Sequence, residues 1–323
     1  MKQIDFDQKY SPIWKSFEAD IDNHNGRKAK LDPAFPENYR KICNHLSLAR
    51  QRHYSEELID YLNQLVMAGH HALYKQDNRI KLGYIGFALN VFIFTLRKYS
   101  KAVWLSTALF LMPGLLMGLA CFYDETIIYS LMSPSDVAEF ESMYDPSLDK
   151  IGRERGSDTD LMMFGYYIKN NIGIAFRTFA GGIFFGLGSV FFLCFNGLYI
   201  GAVAGRLTSI GYGVTFYPFV VGHGAFELTA IVFSGAAGLI IGYALINPGQ
   251  QSRLTALKNA ARDAVKIMYG AAFMLLIAAF LEAFWSSSTS LPVELKYAVG
   301  AGLWFFVIWL CFLSPLGRQR EPN

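Results

Sequence analysis

Apolar positions recur with a helical period in residues 1–100 and merge into long apolar runs beyond residue 101. After Pro36 and Glu37, the residues Tyr39, Ile42, Leu46 and Ala49 fall three or four apart. This predicts an amphipathic helix with proline in its first turn. Ser55, followed by Glu56 and Glu57, is placed to cap a second helix with Leu58, Leu62, Leu65, Val66 and Leu73 along one stripe. Joined by a short turn, the two make an antiparallel hairpin. Between 80 and 101, Tyr84, Ile85, Phe87, Val91 and Phe92 precede Arg97, Lys98 and Lys101. Aromatic residues followed by a basic cluster suit an interfacial helix that leads into a first membrane span.

The apolar runs are read as spans at 103–122, 172–193, 195–210, 216–246, 264–285 and 297–313. About 20 apolar residues cross a hydrocarbon core. The run at 195–210 is short and carries Asn196, Gly197, Gly201, Gly205 and Arg206, so it reads as a half-helix. The run at 216–246 is too long for one simple span and is expected to break at Pro218, Gly222 and Gly224. The fold class is therefore all-α: a polytopic helical membrane protein with a cytoplasmic N-terminal helical hairpin. Residues 1–100 form the cytoplasmic or interfacial region and 101–316 the membrane bundle, with an external acidic loop at 123–160 and a cytoplasmic tail at 317–323.

Loop charge supplies the sidedness. The segment 123–160 carries ten acidic residues against Lys150, Arg153 and Arg155, which places it outside. The segment 247–266 carries Arg253, Lys258, Arg262 and Lys266 against Asp263, and the tail carries Arg318 and Arg320, which places both inside. Six crossings satisfy all three. If 195–210 turns back within the membrane, five remain and the basic loop lands on the wrong side. Within the outer loop, Ser135 is placed to cap a short helix with Val137, Phe140 and Tyr144 on one face, an amphipathic lid. The N-terminus lacks the basic and apolar regions of a signal peptide, so the first hundred residues are expected to stay in the cytoplasm.

Composition agrees with a membrane chain: 53% hydrophobic, 17% charged and a mean hydropathy of +0.25 over 323 residues. Soluble domains carry charge on about a quarter of their residues. A net charge of +3, without a basic stripe, excludes nucleic acid as a partner. The cysteines Cys43, Cys121, Cys194 and Cys311 stand singly and give neither a disulfide framework nor a thiolate metal site.

The candidate chemistry lies in the run at 216–246. His223 and Glu227 are four residues apart, on one helical face at membrane depth. Ionisable groups there persist when they are paired inside a bundle or line a pathway. A hydrolytic zinc helix would read His-Glu-x-x-His, and the second histidine is absent; no histidine besides His223 follows His71. No catalytic, cofactor-binding or metal set is assigned. The expected arrangement is a polar cluster in which His223 and Glu227 bond each other and satisfy Asn170, Asn171, Arg177 and Asn196 on neighbouring helices, as a packing network or as a proton or ion path. Gly181, Gly182, Gly186, Gly188, Gly197, Gly201, Gly205, Gly224, Gly235 and Gly238 are read as close-packing positions, and the spacing of Gly201 and Gly205 also suits a homo-oligomer.

Several stretches resemble the stage II sporulation protein M family of bacterial integral membrane proteins. They are 141–146 (ESMYDP), 163–172 (MFGYYIKNNI), 181–188 (GGIFFGLG), 196–201 (NGLYIG), 223–228 (HGAFEL) and 234–239 (SGAAGL). Residues 38–40, 48–50 and 62–66 resemble the non-sporulation branch of that family, and the likeness runs over roughly residues 10 to 250. Gly222 stands where most members are expected to have proline. The resemblance implies an inner-membrane protein without enzymatic activity: a scaffold in the lipid bilayer, linked to cell-envelope or peptidoglycan remodelling. It implies a cytoplasmic ATPase or cell-wall enzymes as partners. The alternative, from the residues themselves, is a small-solute, proton or ion transporter that uses Asn196, His223 and Glu227.

Overall fold

The computed structural model describes residues 1–27, 32–74, 78–148, 160–288 and 291–317. It divides into two compact units, Met1–Tyr84 and Ile85–Asn323. The first holds α1 (Gln3–Arg27), α2 (Phe35–Gln51) and α3 (Glu56–Tyr74). The expected hairpin is α2 with α3: Pro36 lies in the first turn of α2, and Leu58 N–H reaches Ser55 Oγ at 3.4 Å. The hairpin is joined by α1, whose Phe6, Trp14, Phe17 and Ile21 fall on one face and are buried with Phe35, Ile42 and Leu62. Phe17 stacks on Phe35 with ring centroids 4.5 Å apart.

Of α4 (Asn78–Lys98), the residues Phe92, Ile93 and Leu96 are buried in the core of the second unit, while Ile85 and Phe87 are exposed. Arg97 fastens this helix to the last turns of the chain, donating to the carbonyls of Cys311 at 3.1 Å and Leu316 at 2.6 Å. The bundle follows as α5 (Ser100–Tyr123), α6 (Pro134–Tyr144), α7 (Asp160–Ala180), α8 (Leu187–Ser209), α9 (Gly213–Ile246), α10 (Arg253–Phe280) and α11 (Val293–Ile308). The last two continue into π turns, Leu281–Ser286 and Trp309–Leu313. Helix α9 is central because it is apolar all round and rich in small residues; Ala225, Ala230, Phe233, Ala236 and Ala237 are at most 1% exposed. Buried hydroxyls cross-link the helices: Ser106 Oγ donates to the Val232 carbonyl and Ser189 Oγ to the Thr178 carbonyl, each at 2.6 Å.

By length and composition, five helices among the described residues can cross a membrane: α5, α8, α9, and α10 and α11 with their π turns. Helix α7 is not among them, yet it packs within the bundle. Its Met163 and Tyr167 share a cluster with Ala279 and Ala283, and Gly182, just beyond its other end, meets Gly238.

The span expected at 172–193 is two helices. Helix α7 ends at Ala180, a 3-10 turn covers Gly181–Ile183, and Phe185 and Gly186 have positive φ of 52° and 84° before α8 begins. The turn is built entirely from glycine and apolar residues, so hydropathy runs through it without a break. The expected half-helix at 195–210 is the second part of the full-length α8. Helix α9 is continuous over 34 residues, about 51 Å long. Pro218 falls in its second turn, and Gly222 and Gly224 do not interrupt it. Helix α6 is capped by Ser133 rather than Ser135, through a reciprocal pair with Asp136, because Pro134 fixes the first helical position. The readings for 149–159 and 318–323 lie outside the described residues.

Gly197, Gly201 and Gly205 stand against the carbonyl oxygens of Phe110, Gly114 and Gly118, so a methyl at any of them would strike α5 backbone. Their spacing serves contact within the chain. Gly182 and Gly186 meet α9 at Gly238 and Gly242, and Gly235 meets Leu193. Gly224 is not a close-packing position: a methyl there would meet only side chains of its own helix, nearest Val220 Cγ1 at 3.4 Å.

Candidate functional site

One turn apart on α9, His223 and Glu227 face a cavity of about 450 Å³ between α6, α7, α8 and α9. Helix α7 contributes Asn170, Asn171 and Arg177, and α8 contributes Asn196, so the six residues singled out from the sequence line one space. Helix α6 roofs it with Phe140, Met143 and Tyr144. The Tyr144 ring sits edge-on to Phe216 and Phe219, with centroids 5.1 and 5.6 Å away. Arg206, at the end of α8, holds the roof by ion pairs to Glu125 and, at 2.8 Å, to Glu141. At the C-terminus of α6, the Asp145 carboxyl lies below the usual carboxylate range because the Ser147 N–H donates to it at 2.8 Å.

The hydrogen bonding differs from the expected network. Asn196 Nδ2 donates to the Phe192 carbonyl at 2.7 Å, and Arg177 Nε donates to that of Gly173 at 3.1 Å, each within its own helix. Asn170 Nδ2 donates to Asn171 Oδ1 at 3.1 Å. His223 Nδ1 pairs with Ser286 Oγ at 3.0 Å rather than with Glu227. The carbonyl of Ser286 accepts from Lys296 Nζ at 2.9 Å, and Lys296 is only 3% exposed. Two buried polar atoms, Glu227 Oε2 and Asn171 Nδ2, have no hydrogen-bond partner. Such atoms are uncommon in folded proteins because each costs about 1–3 kcal/mol.

Three residues at or behind the cavity escaped the sequence reading: Glu282, Ser286 and Lys296. The π turn at Leu281–Ser286 carries Glu282 to the cavity and sets Ser286 beside His223. π turns arise within α-helices and gather at functional sites. Ligand atoms of His223, Glu227 and Glu282 all lie within 4.8 Å of one another. The signal available in the sequence was the single acid in the run at 264–285, whose other charge, Lys266, stands at its start.

Comparison with known proteins places these helices. A model of stage II sporulation protein M matches residues 106–287, more than half of the chain. The chain belongs to this family. The match takes in α6 to α9, the cavity and the π turn with Glu282. Residues 4–75 match a separate domain of unknown function (DUF8413), so the N-terminal unit has its own family model rather than an extension of the first. An uncharacterized protein of Methanocaldococcus jannaschii is 28% identical over 125 residues, which cover 38% of this chain and 69% of that protein. No solved structure matches.

Proposed function

We propose that this multi-pass membrane protein moves a small cation across the bilayer through the cavity, without enzymatic chemistry. The observation that carries the reading is the cavity itself: His223 and Glu227 face it from the central helix, beneath a clamped outer roof. Acidic and imidazole side chains at membrane depth are costly and mark ion or substrate pathways. The unpartnered oxygen of Glu227 supports the same reading, since a passing cation would supply what it lacks. Counting α7 as a sixth crossing puts the acidic segment 123–160 outside and the basic segment 247–266 inside, with both termini on the cytoplasmic side.

Reconstituted into proteoliposomes, the wild-type protein should carry protons or Mn²⁺ faster than empty vesicles. Glu227→Gln should lower that flux at least about tenfold, the usual effect of losing a ligating or second-shell group. Wild-type flux equal to that of empty vesicles sinks the reading. A second reading, partner recruitment, is favoured by the separate core and separate family match of the N-terminal unit. The classes implied by the family resemblance are a cytoplasmic ATPase and cell-wall enzymes.

A further inference from the structure

We infer that His223, Glu227 and Glu282 form a binding site for a divalent first-row transition cation. The inference deepens the cation reading above and rests on it for the transported species, not for the site. One imidazole and two carboxylates converge with their ligand atoms within 4.8 Å. Ligands about 2.1 Å from a shared ion stand about 3.4 Å apart in a tetrahedron and about 4.2 Å apart when opposed. Side-chain adjustments of less than about 1 Å therefore close the set around an ion.

Charge argues in the same direction. Two carboxylates match a divalent cation, and neighbouring carboxylates repel one another unless something positive lies between them. The nearby cations do not serve Glu227. Lys296 is engaged by the Ser286 carbonyl and Arg177 by that of Gly173, while Glu227 Oε2 is buried without a hydrogen bond. Asn171 is 2% exposed and lines the cavity beside Glu227, whose carboxylate its side-chain amide approaches while its Nδ2 stays short of full hydrogen-bond geometry. An amide so placed can donate to an ion-bound water or to the distal oxygen of a ligating carboxylate.

The support behind the ligands has the same form. Ser286 Oγ fixes the ring of His223, and Ser286 is held in turn through its carbonyl by buried Lys296. Outer partners of this kind orient a ligating imidazole. The donor set selects the ion class: an imidazole beside carboxylates suits Mn²⁺, Fe²⁺ or Zn²⁺, whereas Mg²⁺ and Ca²⁺ prefer oxygen alone. With three protein ligands the remaining positions fall to water from the cavity. Structural sites are closed by four protein ligands, so this one suits an ion that exchanges.

The test uses the full-length protein in detergent, stripped with chelator and titrated with Mn²⁺ by electron paramagnetic resonance, with Zn²⁺ as competitor. One Mn²⁺ per chain should bind and be displaced by Zn²⁺. Glu282→Gln and Glu227→Gln should each weaken binding about 10- to 100-fold. His223→Gln should abolish the nitrogen coupling in the bound Mn²⁺ signal, and His71→Asn should change nothing. If Glu227→Gln impairs folding, as read by melting and size exclusion, Glu282→Gln and His223→Gln decide the matter. No stoichiometric binding, affinity unchanged in Glu282→Gln, or nitrogen coupling retained in His223→Gln overturns the site. Flux without Mn²⁺ binding overturns the site and leaves transport standing; Mn²⁺ binding without flux does the reverse.

Discussion

His45 shows how one side chain ties the N-terminal unit to pH. It is 8% exposed, and its Nδ1 accepts the indole N–H of Trp14 at 3.0 Å, so the ring is neutral at that nitrogen. Burial lowers its pKa from the ordinary 6.5. The unfolded chain therefore binds the proton more tightly, and stability is full above about pH 6.5. It is lost as pH falls from there through the lowered folded value. Amide protection of α1 and α2 in the full-length protein, taken relative to the intrinsic exchange rate at each pH, should fall between pH 7.5 and 5.5, and His45→Gln should flatten that dependence. Equal loss of protection in both proteins would refute the role of His45. At the membrane site the residue scale was legible only in part. His223 and Glu227 announce themselves because ionisable groups are rare in apolar runs, whereas Ser286 looks ordinary and its placement depends on a π turn. Lys296 sits near the end of its run, where a lysine normally reads as an interfacial anchor, yet here it is buried.

At the scale of elements, α5 and α8 touch along Gly114, Gly118, Gly197, Gly201 and Gly205 with backbone against backbone. The periodic glycines made close packing legible in the sequence; which helix they meet was not, because spacing carries no partner. Gly201→Val would drive its side chain into the Gly114 carbonyl, and overpacking of this kind costs about 1–3 kcal/mol or more. A lower melting temperature in detergent is expected, with Gly302→Ala as control, since a methyl there meets nothing within 4 Å. Equal melting of the two variants would show that the helices can part without loss. Unchanged melting together with a dimer lost on size exclusion would assign the glycines to an oligomer instead. The helix boundaries near 181–186 were illegible for a related reason. A turn in an apolar setting needs positive φ, not polarity, and Gly186 supplies it inside a run that hydropathy reads as continuous.

Over the whole molecule, two units with separate cores and separate family models suggest two tasks, one inside the bundle and one at the N-terminal helices. If the acidic segment lies outside and both the basic segment 247–266 and the N-terminal unit lie in the cytoplasm, an odd number of crossings separates the two segments. Both claims meet in one experiment. Membranes are crosslinked, prepared as inverted and as right-side-out vesicles, and treated with trypsin, for which the N-terminal unit carries many lysines and arginines. The N-terminal fragment should leave inverted vesicles only, and a crosslinked protein should leave with it. Release from right-side-out vesicles would reverse the orientation and with it the side from which the roofed cavity opens. A fragment released without any crosslinked companion would remove recruitment from this unit, and the bundle with its His223, Glu227 and Glu282 cluster would carry the function alone.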